Sequence, residues 1–140
     1  MFAGDPRRAV VLALTVFVPK FCDIGAYTVG RLFGKNKMAP VLSPGKTWEG
    51  FVGGMLFAMG TAVGINSIDE VMAWQLAIPF GLLIGVAGVL GDLAESLIKR
   101  ECRQKDAGHS VPGFGGALDV VDSILFAAPV AYLWFVVMRM

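Results

Sequence analysis

Two neighbouring stretches of this chain, Phe51–Ile68 and Met72–Gly91, run their whole length without an ionisable side chain. At 1.5 Å of rise per residue, a helix of about 20 apolar residues crosses a hydrocarbon core roughly 30 Å thick, and each stretch approaches that length. Two more segments come close. Ala9–Val29 is interrupted only by Pro19, Lys20 and Asp23, and Val120–Met138 follows Asp119 and carries Asp122 in its first turn. No stretch alternates apolar and polar residues for long enough to build a β-barrel. In a bilayer that leaves helices, because each backbone polar group must find its partner within the protein. The expected fold is all-α, a polytopic integral membrane helical bundle of about four transmembrane helices, with residues 1–140 forming one membrane domain.

Composition agrees. The chain is 56% apolar and 16% charged, with a mean hydropathy of +0.68, which is too oily for an ordinary soluble domain. A net charge of +1 supplies no general field to attract nucleic acid. Cys22 and Cys102 have no metal-ligand spacing and read as two unpaired thiols. Phe2–Arg8 is polar, and the apolar run after it is too long for the core of a secretory signal.

Turn signals separate the spans: Gly34–Lys37 with Ser43-Pro44-Gly45, then Asn66–Glu70, then the charged segment after Gly91. Basic residues mark cytoplasmic loops. Arg31, Lys35, Lys37 and Lys46 fall in one loop, and Lys99, Arg100, Arg103 and Lys105 in another, while the connection between them offers Asp69 and Glu70. Both basic loops are therefore expected inside, with the acidic turn and the C-terminus outside. Arg7 and Arg8 then fall on the wrong side and are outweighed by the two stronger loops. Glycines at four-residue spacing (Gly50/Gly54, Gly60/Gly64, Gly81/Gly85) are read as positions where helix backbones approach closely.

Between Gly91 and Ser123 the chain concentrates six acids and four bases. Ionisable groups at a membrane boundary are costly to desolvate, so such a cluster needs a reason. Asp92, Glu95, Ser96 and Lys99 are spaced to share one helix face, and Asp119 and Asp122 repeat the three-residue spacing. Carboxylates gathered at two helix ends repel unless a cation neutralises them, and Mg²⁺ suits a few carboxylates, water and substrate phosphates. Lys99, Arg100, Arg103 and Lys105 are suited to phosphate oxygens, and Gly113, Gly115 and Gly116 permit close backbone approach. Glu101 and Arg103 are read as solvated surface charges, and His109, with no obvious metal partner, as a loop residue. Asp23, inside a span with Lys20 one turn earlier, is read either as a paired structural acid or as an acid facing a polar cavity.

Ser43–Gly50 reads S-P-G-K-T-W-E-G. Its G-K-T resembles the tail of a Walker A loop, but Pro40 stands where that motif has its first glycine and no strand is expected ahead of it, so a P-loop is rejected. What remains is hydroxyl, glycine and lysine at a helix start, where free N–H groups favour anions.

These motifs together resemble the phosphatidate cytidylyltransferases. The resemblance rests on Ser96-Leu97-Ile98-Lys99-Arg100, Lys105-Asp106, Gly108, Pro112-Gly113-Phe114-Gly115-Gly116 and Asp119-Val120-Val121-Asp122. Upstream it continues in Asp23-Ile24-Gly25-Ala26-Tyr27, Gly30-Arg31-Leu32-Phe33-Gly34 and Ser43–Gly50. Phe114 stands where that family usually has His, and Val120 where it usually has Arg. The chain is similar to the C-terminal, catalytic half of an architecture about twice as long.

The resemblance implies transfer of a cytidylyl group from CTP to phosphatidic acid, giving CDP-diacylglycerol and pyrophosphate in phospholipid biosynthesis. It implies a catalytic set of Asp92, Asp119, Asp122 and Lys99, with the three aspartates holding Mg²⁺ (one cation or two) and Glu95 a weaker candidate. Ser43, Lys46, Thr47, Arg100, Lys105 and Asp106 become the nucleotide and phosphate contacts. The implied setting is the bacterial inner membrane, with the site on the cytoplasmic side, no nucleic-acid partner, and a homodimer as one assembly. Competing readings are a CTP-dependent polyprenol or lipid kinase, an ion-conducting subunit and an inactive helix bundle. A CDP-alcohol phosphotransferase is disfavoured because its D-G-x2-A-R signature is missing from the sequence.

Overall fold

The computed structural model describes residues 6–101 and 115–138, with backbone alone for Pro6, Lys99 and residues 115–122. Four helices follow one another: α1 (Pro6–Phe33), α2 (Trp48–Asn66), α3 (Trp74–Glu101) and α4 (Gly115–Val137). Among the described residues three stretches are long and apolar enough to cross a membrane, Arg7–Phe33, Trp48–Asn66 and Trp74–Ile98, and Ser123–Val137 of α4 is a shorter apolar stretch. The four-helix expectation holds, but its boundaries move. α1 begins at Pro6, where a missing N–H costs nothing in the first turn, and runs on to Phe33. α3 does not stop at Gly91; Asp92–Glu101 is rich in Leu, Glu, Lys and Arg, all good helix formers, and carries the helix onward. α4 starts at Gly115, ahead of Val120.

Successive helices pack antiparallel, and glycine sets how closely. A Cβ on Gly50 would lie 2.6 Å from the Ala26 carbonyl oxygen, one on Gly53 2.5 Å from Val29, and one on Gly54 2.8 Å from the Cys22 carbonyl oxygen. Those are impossible contacts, so α2 meets α1 backbone to backbone. Gly81 does the same for α3 against the Ala58 carbonyl of α2, and at Gly85 a Cβ would be tight, 3.1 Å from the Ala58 Cβ. The third expected pair behaves differently. Gly60 and Gly64 would meet nothing within 4 Å, so among the described residues they do not serve helix packing.

Leu14, Val18 and Cys22 of α1, Ala58 and Ala62 of α2, Phe80 and Ile84 of α3, and Ala127 and Ala131 of α4 form one buried core. Phe80 is its largest member, edge-on to Trp134 at 5.8 Å between ring centroids and tilted against Phe135 at 5.5 Å. Cys22 is buried as a free thiol, and Cys102 lies outside the described residues. Leu12, Phe17, Leu56, Leu90 and Leu133 point outward and exposed, as side chains bathed in lipid rather than water should.

The loop after α1 folds into a hairpin that the sequence reading did not anticipate. β1 (Lys37–Ala39) pairs antiparallel with β2 (Ser43–Thr47), Lys37 opposite Thr47 and Ala39 opposite Ser43, with an irregularity between. Strands this short show no alternation, and Pro44-Gly45 inside β2 disfavours a strand on propensity alone. Its base is tied to α2 instead: the Trp48 N–H donates to the Asn36 carbonyl (3.0 Å), and the Asn36 side chain donates to Glu49 Oε1 (2.8 Å). A strand thus runs into the α2 N-terminus after all. It carries the G-K-T itself rather than preceding it, so the rejection of a P-loop stands. At the opposite end of the bundle, Asn66 closes the acidic turn by bonding both the N–H and the carbonyl of Met72.

Candidate functional site

Thr47 caps α2: its extended backbone ends the strand, and its side-chain oxygen accepts the Gly50 N–H at 3.1 Å. That cap fixes the preceding residue, Lys46, over a cavity of about 260 Å³. The cavity is walled by Asp23 and Tyr27 of α1, Gly45 and Lys46 of β2, Phe51 of α2 and Asp92 of α3. Asp92 pairs with Lys46 across it, Oδ2 to Nζ at 2.5 Å, with side chains 41% and 20% exposed. Two turns further along α3, Arg100 Nε donates to the Leu42 carbonyl in the hairpin turn at 2.8 Å. The hairpin is therefore pinned to α3 at its tip and at its lysine.

Beside this cavity, α1 carries a second polar group. Lys20 Nζ lies 3.9 Å from Asp23 Oδ2 and donates to Ser123 Oγ at 3.3 Å, while the Ser123 hydroxyl donates to Asp23 Oδ2 at 3.2 Å. The expected pairing of Asp23 with Lys20 is thus present, with a serine from α4 added. α3 passes at the same level: a Cβ on Gly88 would sit 3.2 Å from Pro19 and 3.9 Å from the Ser123 Cβ. Phe80 faces Trp134 and Gly88 approaches Ser123, so α3 and α4 run antiparallel in a fixed register. Beyond Gly88 and Ser123 the two helices continue toward Asp92 on α3 and toward the first turns of α4.

The structure brings Lys46, Thr47 and Asp92 of the expected site together, and adds Asp23. Ser43 begins β2 but does not line the cavity. Arg100 is exposed, with one guanidinium nitrogen committed to the hairpin. Glu95 is half-buried on α3, and the Ser96 hydroxyl turns back onto the Asp92 carbonyl (2.9 Å). Lys99 lies on the α3 backbone, and Asp119 and Asp122 lie in the first turns of α4, with side chains outside those described. Lys105, Asp106, His109 and Phe114 fall outside the described residues altogether. Among the described residues no three His, Cys, Asp or Glu side chains form a metal cluster. Two carboxylates, Asp23 and Asp92, nevertheless line one cavity, oxygen donors of the kind a hard divalent cation takes. Sequence reasoning passed over the apolar wall, Tyr27, Met38, Phe51 and Val89. Tyr27 had a usable signal, since it lies four residues beyond Asp23 on the same helix face.

The architecture and this cavity define a class: an integral membrane protein with an acid-and-lysine hollow at one end of a helical bundle. The model of the cytidylyltransferase family matches residues 2–138, and the chain belongs to that family. It is 40% identical to the phosphatidate cytidylyltransferase of Haemophilus influenzae over 98% of this chain and 50% of that protein. It is 46% identical to that of Bacillus subtilis (79% of this chain, 41% of that protein) and 45% identical to that of Pseudomonas aeruginosa (91% and 48%). The chain spans about half the length of the curated relatives it matches.

Proposed function

We propose that this chain supplies the nucleotide-handling part of a membrane enzyme that transfers a cytidylyl group from CTP to phosphatidic acid, yielding CDP-diacylglycerol and pyrophosphate. The observation that carries the reading is Lys46 and Asp92 facing one another in a cavity shared with Asp23. In such a transfer a phosphate oxygen of the lipid forms a bond to the α-phosphorus of CTP. The bond from that phosphorus to the bridging oxygen breaks, and its electron pair leaves with pyrophosphate. Catalysis of this kind is mostly positioning and charge neutralisation.

Lys46 sits where it can hold phosphate oxygens, with Lys99, Arg100 and Lys105 as further cationic contacts, Ser43 and Thr47 as hydroxyl contacts and Asp106 orienting a base. Asp92, Asp119 and Asp122 would hold Mg²⁺, which when bound offsets charge building on the departing pyrophosphate. The basic loop between α1 and α2, with Lys35, Lys37 and Lys46, supports placing this face toward the cytoplasm of a bacterial inner membrane.

The test uses the chain fused to the remaining half of the Haemophilus influenzae relative and reconstituted in vesicles containing phosphatidic acid. With CTP labelled in the cytosine ring and, separately, at the γ-phosphate, label should enter lipid from the first and appear as pyrophosphate from the second. Release of CDP with γ-label in the lipid would instead establish a kinase and defeat the proposal.

A further inference from the structure

The bond from Ser123 to α1 joins residues a hundred positions apart, on the first and last helices. Ser123 is only 2% exposed, in a span otherwise lined by apolar side chains. At 3.2 and 3.3 Å its hydrogen bonds are long, so their value lies in direction more than in strength. The hydroxyl is used in both senses, accepting from Lys20 and donating to Asp23. α3 closes the junction through Gly88, one turn before Asp92, and Ser123 itself directly follows Asp122. Three helices thus meet at this one point, about one turn along α3 from Asp92.

We infer that Ser123 is a positioning residue: with Lys20 it locks the rotation and height of α4 against α1 and α3, and so sets where the aspartates of α3 and α4 stand relative to one another. A helix free to turn by one residue rotates its side chains by about 100°, enough to remove a carboxylate from a shared ion. Within lipid, an apolar seam alone would resist such slippage weakly, because leaving it exposes nothing to water. A directional polar contact supplies the missing constraint.

This inference rests on the cation reading proposed above, and the experiment separates the two. The fused full-length protein, in lipid nanodiscs, is titrated with Mn²⁺ as the probe ion and bound ion is read by electron paramagnetic resonance, with turnover and thermal stability measured on the same samples. Ser123→Ala should weaken Mn²⁺ binding and lower kcat by about 10-fold or more, the scale seen when groups orienting metal ligands are removed, with KM for CTP within about twofold. Ser123→Thr, which keeps the hydroxyl, should recover most of both. Lys20→Met, which keeps the stem, should reproduce the alanine effect and serves if Ser123→Ala does not fold. Wild-type-like Mn²⁺ binding in Ser123→Ala and Lys20→Met overturns the positioning role. Failure of the unaltered protein to bind Mn²⁺ overturns the cation reading and the inference with it.

Discussion

Lys46 of the hairpin and Asp92 of α3, 46 positions apart in the chain, meet at 2.5 Å across the cavity. Each is the other's neutraliser until something replaces it. A phosphate would draw the lysine and a cation the aspartate, so occupation of the site exchanges one ion pair for two. Partly exposed pairs of this kind contribute little to stability, so the exchange is energetically accessible.

Asp92→Asn should therefore separate binding from chemistry. With its partner neutralised, Lys46 is free to engage phosphate, and CTP binding without divalent cation should hold or tighten. Turnover should fall by about 10²–10³, as when a group stabilising transition-state charge is removed. Isothermal titration with CTP and a lipid-labelling assay on the fused protein read the two quantities. Equal loss of both would show that Asp92 serves the fold.

Arg100→Lys retains the charge but not the Nε–H that reaches the Leu42 carbonyl. Hydrogen exchange across residues 37–47 should quicken, with at most about 1 kcal/mol lost from global stability. Unchanged exchange in the hairpin would mean that Arg100 does not hold it.

Thr47→Ala removes the cap on α2 and should cost about 1 kcal/mol, read as a lowered melting temperature in detergent, while Thr47→Ser should retain most of it. Equal melting of both variants with the unaltered chain would leave the cap without energetic weight.

Gly54→Ala and Gly60→Ala form a contrasting pair. The first forces a methyl group against the Cys22 carbonyl and should destabilise by about 1–3 kcal/mol, whereas the second meets open space and should be neutral or slightly stabilising. Thermal unfolding in the same detergent compares them directly, and a neutral Gly54→Ala would contradict the close α1–α2 contact.

The parts of this architecture legible in the sequence were those set by solvent. Charge-free stretches such as Phe51–Ile68 announce helices because lipid allows little else, and the acids at Asp92, Asp119 and Asp122 stand out because lipid penalises them. The hairpin was not legible, because β1 and β2 are held by Asn36, Glu49 and the helix end they serve, not by strand propensity. The Ser123 contact was hidden for a related reason: a lone serine in an apolar run carries no periodicity, and its partners are supplied by tertiary packing. Helix ends shifted wherever charged but helix-favouring residues continued a span, as from Asp92 to Glu101. Gly60 and Gly64 show the converse, a spacing that matches a packing motif without a neighbour to pack on.

The walls of the cavity are of two kinds. Met38, Phe51 and Val89 are apolar, and Lys46 and Asp92 carry charge. Under the transfer proposed above, such walls would let an oil-anchored reagent and a water-borne one touch while each keeps to its own phase.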